Sequence, residues 1–318
     1  MPDSNATAGI FVAAQRSPIS RPVAWLLAAR PPIVVLSAFG ASTGYWNLVT
    51  HHHLQPPVLT FVLALLGAAA LGAGIMIHND YTDAVSDAAI KPYKPIPSGL
   101  ISASAARAVG LGLMGLAVLS VAVATLPFTG QVNWIAAGFT ILIGLIAVYY
   151  NHLGKKHGLW GHAAVAFGVG AIPYWGGLAV APQDGVTLLP LAVSIFVMEI
   201  GREILVCVGD WRGDQAAGFR TTPIALGLLP ATRLAGWFYL GYLLLLPWPY
   251  LQGSFGRVYL FGALAFAAVL FATWYRTLQV VRSGDEALIQ GRCEVDLRIG
   301  TRTAVLLFQV LLLIEAFV

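Results

Sequence analysis

Charge is what this sequence has least of. Only 10% of its 318 residues are Asp, Glu, Lys or Arg, against about 25% in a typical soluble chain. So few ionic groups cannot cover a globule of this length with a solvated surface, which excludes a soluble enzyme, and the apolar content excludes a disordered chain. Cysteine is as scarce. Cys207 and Cys293 are the 2 present, too few for a disulfide framework and without metal spacing, so both read as free thiols. Residues 1–20 break their short apolar patches with Asp3, Gln15, Arg16 and Pro18, and no secretory signal is expected there.

What fills the chain is apolar: 58% of positions are AVILMFWYC, and 34 more are glycine. Runs of spanning length fall near residues 27–48, 58–78, 102–127, 132–151, 160–180, 187–207, 230–250, 257–278 and 299–318. Backbone polar groups in hydrocarbon need internal partners, so these runs predict nine transmembrane helices in an all-α polytopic membrane protein, a single membrane domain over 1–318. Gly40 and Gly44, one turn apart, suit close helix contact in lipid. A net charge of +4 in such a chain is a topology signal, and no nucleic-acid partner is expected. With the N-terminus in the cytoplasm, every Lys and Arg except Arg257 falls on or near the cytoplasmic side, as the positive-inside rule requires. The expectation is an integral protein of the cell (inner) membrane with cytoplasmic active-site loops.

The acids are more selective. Asp80, Asp83, Asp87, Glu199, Glu203, Asp210 and Asp214 all lie at or just beyond the expected cytoplasmic ends of the second and sixth spans, where ionisable groups are functional candidates. The first segment reads HNDYTDAVSDAAIKPYKPIPSG from His78 to Gly99. On a continuous helix Asn79, Asp80, Asp83 and Asp87 would share an arc of roughly 100°. Three carboxylates on one face need a counter-charge. Hard oxygens of this kind suit Mg²⁺, which keeps further positions for water and phosphate oxygens. Lys91 and Lys94 follow at once, held out of regular helix by prolines.

The second segment reads GREILVCVGDWRGDQAAGFRTTPIALG from Gly201 to Gly227. Asp210 and Asp214 stand one turn apart, with Arg212, Arg220 and Thr221 nearby. KPIPSG after the first acids is echoed by RTTPIALG after the second, at a lag of about 130 residues, consistent with two pseudo-repeated helical halves, 22–150 and 151–278, followed by the helix 299–318. Two acid clusters, each with basic residues, at one end of an apolar bundle suit the ionisation of an isoprenyl diphosphate: cations neutralise the leaving group and apolar walls exclude water. Tyr81, Tyr93, Tyr149, Tyr150, Tyr174 and Trp175 are candidate aromatic faces for the carbocation, against the alternative of interfacial belt or core packing.

Together these residues resemble the UbiA superfamily of intramembrane prenyltransferases. The resemblance rests on Asn79-Asp80-x-x-Asp83-x-x-x-Asp87, on Lys91-Pro92-x-Lys94-Pro95-Ile96-Pro97-Ser98-Gly99, and on Asp210-x-x-Gly213-Asp214-x-x-x-Gly218-x-Arg220-Thr221. It extends to Arg30-Pro31 and to Tyr149, Tyr150 and Lys155. It implies nine helices around a central cavity open to lipid, with Mg²⁺ as cofactor. By position, Asn79, Asp83, Asp87, Asp210 and Asp214 would hold the metal. Lys91, Lys94, Lys155 and Arg220 would contact the diphosphate, with Arg30 and Tyr150 also in the substrate set and Asp80 among the catalytic acids. The chain departs from the family where Lys91 and Lys94 replace the usual arginines, where His162 replaces a common Asn, and where Val206, Cys207 and Val208 replace the lysine and acid of many lipid-acceptor members.

The expected activity is transfer of an isoprenyl group from a prenyl diphosphate to a hydrophobic acceptor, an aromatic ring first and a lipid hydroxyl second. A membrane terpene cyclase on the same fold would need the same ionisation motifs and no acceptor. A non-enzymatic transporter is the remote third reading, and it leaves two Mg²⁺-type clusters unexplained. Glu199, Arg202 and Glu203, three and four apart on a helix, read as a structural ion-pair cluster, and His51, His52 and His53 as a solvated turn.

Overall fold

The computed structural model describes residues 19–317, so the stretch read above as lacking a secretory signal falls outside the described residues up to position 18. All regular structure among the described residues is helical. The helices are α1 (Arg21–Ala29), α2 (Pro31–His51), α3 (Val58–Thr82), α4 (Ala84–Ile90), α5 (Ala103–Ala124), α6 (Leu126–Thr129), α7 (Trp134–His152), α8 (Leu159–Leu178), α9 (Leu189–Ala216), α10 (Thr222–Leu226), α11 (Leu228–Leu245), α12 (Trp248–Leu251), α13 (Arg257–Ser283), α14 (Glu286–Cys293) and α15 (Thr301–Glu315). Successive long helices pack against one another up and down, α3 with α5, α8 with α9, α9 with α11, and α15 closing back onto α2.

Seven segments of this bundle are long and apolar enough to cross a membrane: α2, α3, α5 with α6, α7, α11 with α12, α13, and the stretch Glu286–Glu315. The runs expected at 160–180 and 187–207 coincide with α8 and α9, which fall outside this set: α8 breaks its apolar residues with glycines, His162 and Pro173, and α9 carries Glu199, Arg202 and Glu203. α8 carries Gly161, His162, Gly170, Pro173, Gly176 and Gly177 on its buried side, and α9 buries Glu199. Their polarity is spent inside the bundle, where small residues let backbones meet. A Cβ on Gly44 would stand 1.7 Å from the Pro173 carbonyl oxygen, and one on Gly176 would stand 1.9 Å from that of Ala41. The α2–α8 contact is therefore a backbone-to-backbone one, as the Gly40/Gly44 spacing suggested.

Proline sets the breaks that matter for the site. Pro31 and Pro32 open α2, and Arg30, between α1 and α2, sits in the left-handed region at φ 51°. The residue before a proline is pushed out of helix, and here it turns the chain so that α1 packs across the end of α3, burying Ala24 and Ala28 beside Ile77, Ile96 and Ile101. α3 stops at Thr82, Asp83 caps it, and the short α4 ends where Lys91 precedes Pro92. The continuous helix expected through the first acidic motif is thus interrupted at Asp83. Deeper in, α2, α8, α9, α13 and α15 enclose a cavity of about 160 Å³ lined largely by apolar side chains, with Glu199, Arg202 and Arg302 on its wall.

Candidate active site

The break at Asp83 does not scatter the first acids, because cations gather them. Lys94 Nζ lies 2.7 Å from Asp87 Oδ2 and 3.2 Å from Asp80 Oδ1, joining α3 to α4. Arg30, delivered by its left-handed turn, donates to Asp80 Oδ1 at 2.7 Å and to Asn79 Oδ1 at 3.1 Å. Lys155, from the short turn after α7, pairs with Asp83. Burial pulls its ammonium below the ordinary lysine value while the charge of Asp83 pulls it back up. Asp80 and Asp87 are buried and Asp83 is half-buried, so these pairs are screened far less than surface ones.

α9 supplies the second motif as a stripe. Glu199, Glu203, Cys207, Asp210 and Asp214 recur every three or four residues and so share one face, running from the cavity wall to the end of the helix. Arg202 spans the lower part, donating to Glu199 Oε2 at 2.7 Å and to Glu203 Oε1 at 2.6 Å, the ion-pair cluster read from their spacing. Asp214 stands beyond the apolar run that ends at Cys207. Burial, then the charge of Asp210, push its carboxyl up to about 6. Its Oδ2 is buried, and the Thr221 hydroxyl and Cys207 thiol lie beside the carboxylate and pull its pKa back down.

The two motifs come to one end of the bundle. Tyr150 lies within electrostatic reach of Asp83 on one side and of Glu203, Cys207 and Asp214 on the other. Lys91, from the first motif, is within reach of Asp214 in the second, and Lys155 Nζ stands 5.8 Å from the centre of the Tyr150 ring. His162 bonds Thr222 Oγ1 at 3.0 Å, tying α8 to α10, and Gly158 packs against the Arg220 carbonyl. Arg220 itself is exposed at the rim. The other aromatic candidates separate. Trp175 is buried and donates to Thr140 Oγ1 at 2.6 Å, far along α8 from the acids, and Tyr174 packs on Phe139. Tyr93 and Tyr149 are exposed, and Tyr81 packs against His78.

The donors fit a hard divalent cation by their chemistry: carboxylate and amide oxygens on two facing segments. Among the described residues, no three acidic, histidine or cysteine side chains converge closely enough to hold a metal alone. In their place, lysine and arginine neutralise the first motif.

One group at the site escaped the sequence reading. Asn151, at the end of α7, is buried and hydrogen-bonded to both Asn79 and His78. The signal available was a polar amide closing the apolar run Ile146–Tyr150, where an uncharged residue carries no motif.

The chain is similar to known proteins over most of its length. A digeranylgeranylglyceryl phosphate synthase of Methanopyrus kandleri is 34% identical over 278 residues, covering 87% of this chain and 96% of that protein. The synthase of the same name from Sulfolobus acidocaldarius is 31% identical, over 78% of this chain and 85% of its own. Among solved structures, one of a digeranylgeranylglyceryl phosphate synthase has a TM-score of 0.70 at 18% identity over 93% of this chain and 98% of its own. A UbiA homologue from Archaeoglobus fulgidus, solved with GPP and Mg²⁺ bound, has a TM-score of 0.69 at 16% identity over 92% and 98%. The family profile matches residues 37–289, a span that holds both acidic motifs and the cations Lys91, Lys94, Lys155 and Arg220, and the chain belongs to the UbiA prenyltransferase family, an integral membrane prenyltransferase.

Proposed function

We propose that this enzyme transfers an isoprenyl group from an allylic diphosphate to the hydroxyl of a glyceryl lipid. The observation that carries the reading is the gathering of both acidic motifs with Arg30, Lys91, Lys94 and Lys155 at one end of the bundle, above a largely apolar cavity. Asn79, Asp83, Asp87, Asp210 and Asp214 would hold Mg²⁺, which when bound supplies charge neutralisation to the departing diphosphate. Arg30, Lys91, Lys94, Lys155 and Arg220 turn to the diphosphate oxygens. Lysines in place of arginines keep the charge but give up the two-pronged grip, so positioning falls more heavily on Arg30. Asp80 is the anchor of Arg30 and Lys94 rather than a metal ligand. As the C1–O bond breaks, its electron pair leaves with the diphosphate, the acceptor oxygen bonds C1, and the hydroxyl proton passes to the released diphosphate. Tyr150, between the two motifs, presents the aromatic face nearest the developing cation.

The relatives' name denotes a glyceryl phosphate bearing two geranylgeranyl groups. That favours a lipid hydroxyl over the aromatic ring placed first from the sequence. The Val206–Val208 departure marks where this chain differs from many lipid-acceptor members. Counting α8 and α9, we read nine spans, with the N-terminus and the site on the cytoplasmic side of the cell membrane. The two motifs then stand at equivalent helix ends of two halves, 22–150 and 151–278.

The test is direct. Membranes containing the protein receive geranyl, farnesyl or geranylgeranyl diphosphate, with Mg²⁺ or EDTA, and either a prenylated glyceryl phosphate or an aromatic acceptor. Mg²⁺-dependent ether formation is expected. Absence of diphosphate release from every donor overturns the reading, and a cyclic hydrocarbon formed without acceptor transfers it to the cyclase.

A further inference from the structure

A line of three hydrogen bonds runs inward from the site, and all its donors point the same way. A guanidinium can only donate, so Arg30 obliges Asn79 to present Oδ1, at 3.1 Å. That turns Asn79 Nδ2 toward Asn151 Oδ1, at 2.9 Å. Asn151 then directs its own Nδ2 at His78 Nδ1, at 3.1 Å, which accepts when the ring proton resides on Nε2. Asn151, His78 and Asn79 are buried, and the line joins the α1–α2 junction, α3 and α7.

We propose that Asn151 and His78 are positioning residues that keep the oxygen of Asn79, and not its nitrogen, facing the metal–diphosphate site. The inference rests on Asn79 facing the metal, as read above. The two faces of an amide differ only by a half-turn about the terminal bond, yet one offers lone pairs to a cation and the other offers N–H. In the structure as it stands Arg30 selects the face. Arg30 is partly exposed and sits among groups that turn to the diphosphate, so its grip on Asn79 ends when substrate arrives. The inner end of the line has no reason to change then. Asn151 accepts from Asn79 and, with the His78 ring proton on Nε2, donates to His78 Nδ1, which holds the Asn79 oxygen outward through the catalytic cycle. Partners of this kind behind a metal ligand commonly alter metal affinity by about 10- to 100-fold.

The experiment uses the full chain in detergent, with Mn²⁺ as the probe and its binding read by electron paramagnetic resonance, without turnover. Asn151→Leu is expected to weaken Mn²⁺ by about tenfold. In an Asn79→Asp background either orientation presents oxygen, so adding Asn151→Leu should change affinity by less than about twofold. Equal weakening in both backgrounds, or none with Asn79 intact, overturns the proposal. Asn151→Ala carries the same expectation if the leucine variant does not elute as a folded protein. His78→Leu should lower affinity in the same direction by a smaller factor, and unchanged affinity removes His78 from the relay. Failure of the parent protein to bind Mn²⁺ overturns the metal reading itself, which distinguishes that outcome from a failure of the relay alone.

Discussion

Asp80→Asn separates an anchor of cations from a ligand of metal. The substitution keeps the shape of the side chain and an acceptor at Oδ1, but removes the charge to which Arg30 donates at 2.7 Å and Lys94 at 3.2 Å. Both donors stay charged, so the hydrogen bonds remain charge-assisted and what is lost is the ion-pair attraction, about 1 kcal/mol at each contact for partly buried pairs. Two considerations hold the figure there. The Arg30 side chain is 38% exposed and partly screened by solvent, and Lys94 keeps Asp87 at 2.7 Å. The sum, about 2 kcal/mol, corresponds to a KM for prenyl diphosphate raised about thirtyfold. The assay is steady-state transfer in detergent or proteoliposomes at saturating acceptor, with Mg²⁺ varied independently. The Mg²⁺ dependence should stay where it is in the parent enzyme, because Asp80 serves cations that face the diphosphate. A variant that loses turnover outright, as Asp83→Asn is expected to, or that retains turnover but needs several-fold more Mg²⁺, would refute the reasoning and return Asp80 to the metal set.

Asp83→Asn and Asp214→Asn should each abolish turnover while the protein still inserts and purifies, checked by diphosphate release and gel-filtration profile; near-parent rates in either refute the metal assignment. The raised Asp214 carboxyl, at about 6, holds its proton more tightly folded than unfolded. Its ionised form is the one a cation uses, so the Mg²⁺ needed for half-maximal activity should rise as pH falls through about 6, in titrations at a series of pH values. The stability linked to this group has the opposite sense: present below the unfolded carboxylate value, it is lost as pH rises through about 6. Gly44→Ala places a methyl 1.7 Å from the Pro173 carbonyl oxygen, which only separation of α2 and α8 relieves. A loss of several kcal/mol, about 3 or more, is expected, seen as aggregation at a much lower temperature in detergent, whereas Gly112→Ala, where a Cβ meets nothing within 4 Å, should be silent.

In the structure Cys207 lies on the stripe between Glu203 and Asp210, beside Asp214, and further along the same helix Glu199 and Arg202 line the wall of the cavity.

Much of this protein was legible in the order of its residues, because the properties concerned are local. Apolar runs of membrane length announce helices wherever they fold, charge scarcity announces lipid, and Asp, Asn and Lys at fixed short spacing carry the family resemblance that the profile match over residues 37–289 bears out. The ion-pair cluster on α9 was legible for the same reason, its members lying within one turn. What the sequence could not decide depends on partners distant in the chain. Asp80 became an anchor because a left-handed residue fifty positions away turns a guanidinium onto it. Asp83 ended a helix instead of continuing one, and Lys94 reunited what that break divided. Asn151 and His78 entered the site only when α7 packed beside α3, seventy-two and seventy-three residues apart in the bonds they make. An uncharged amide has no motif; its meaning is the orientation its neighbours impose, and packing alone supplies the neighbours.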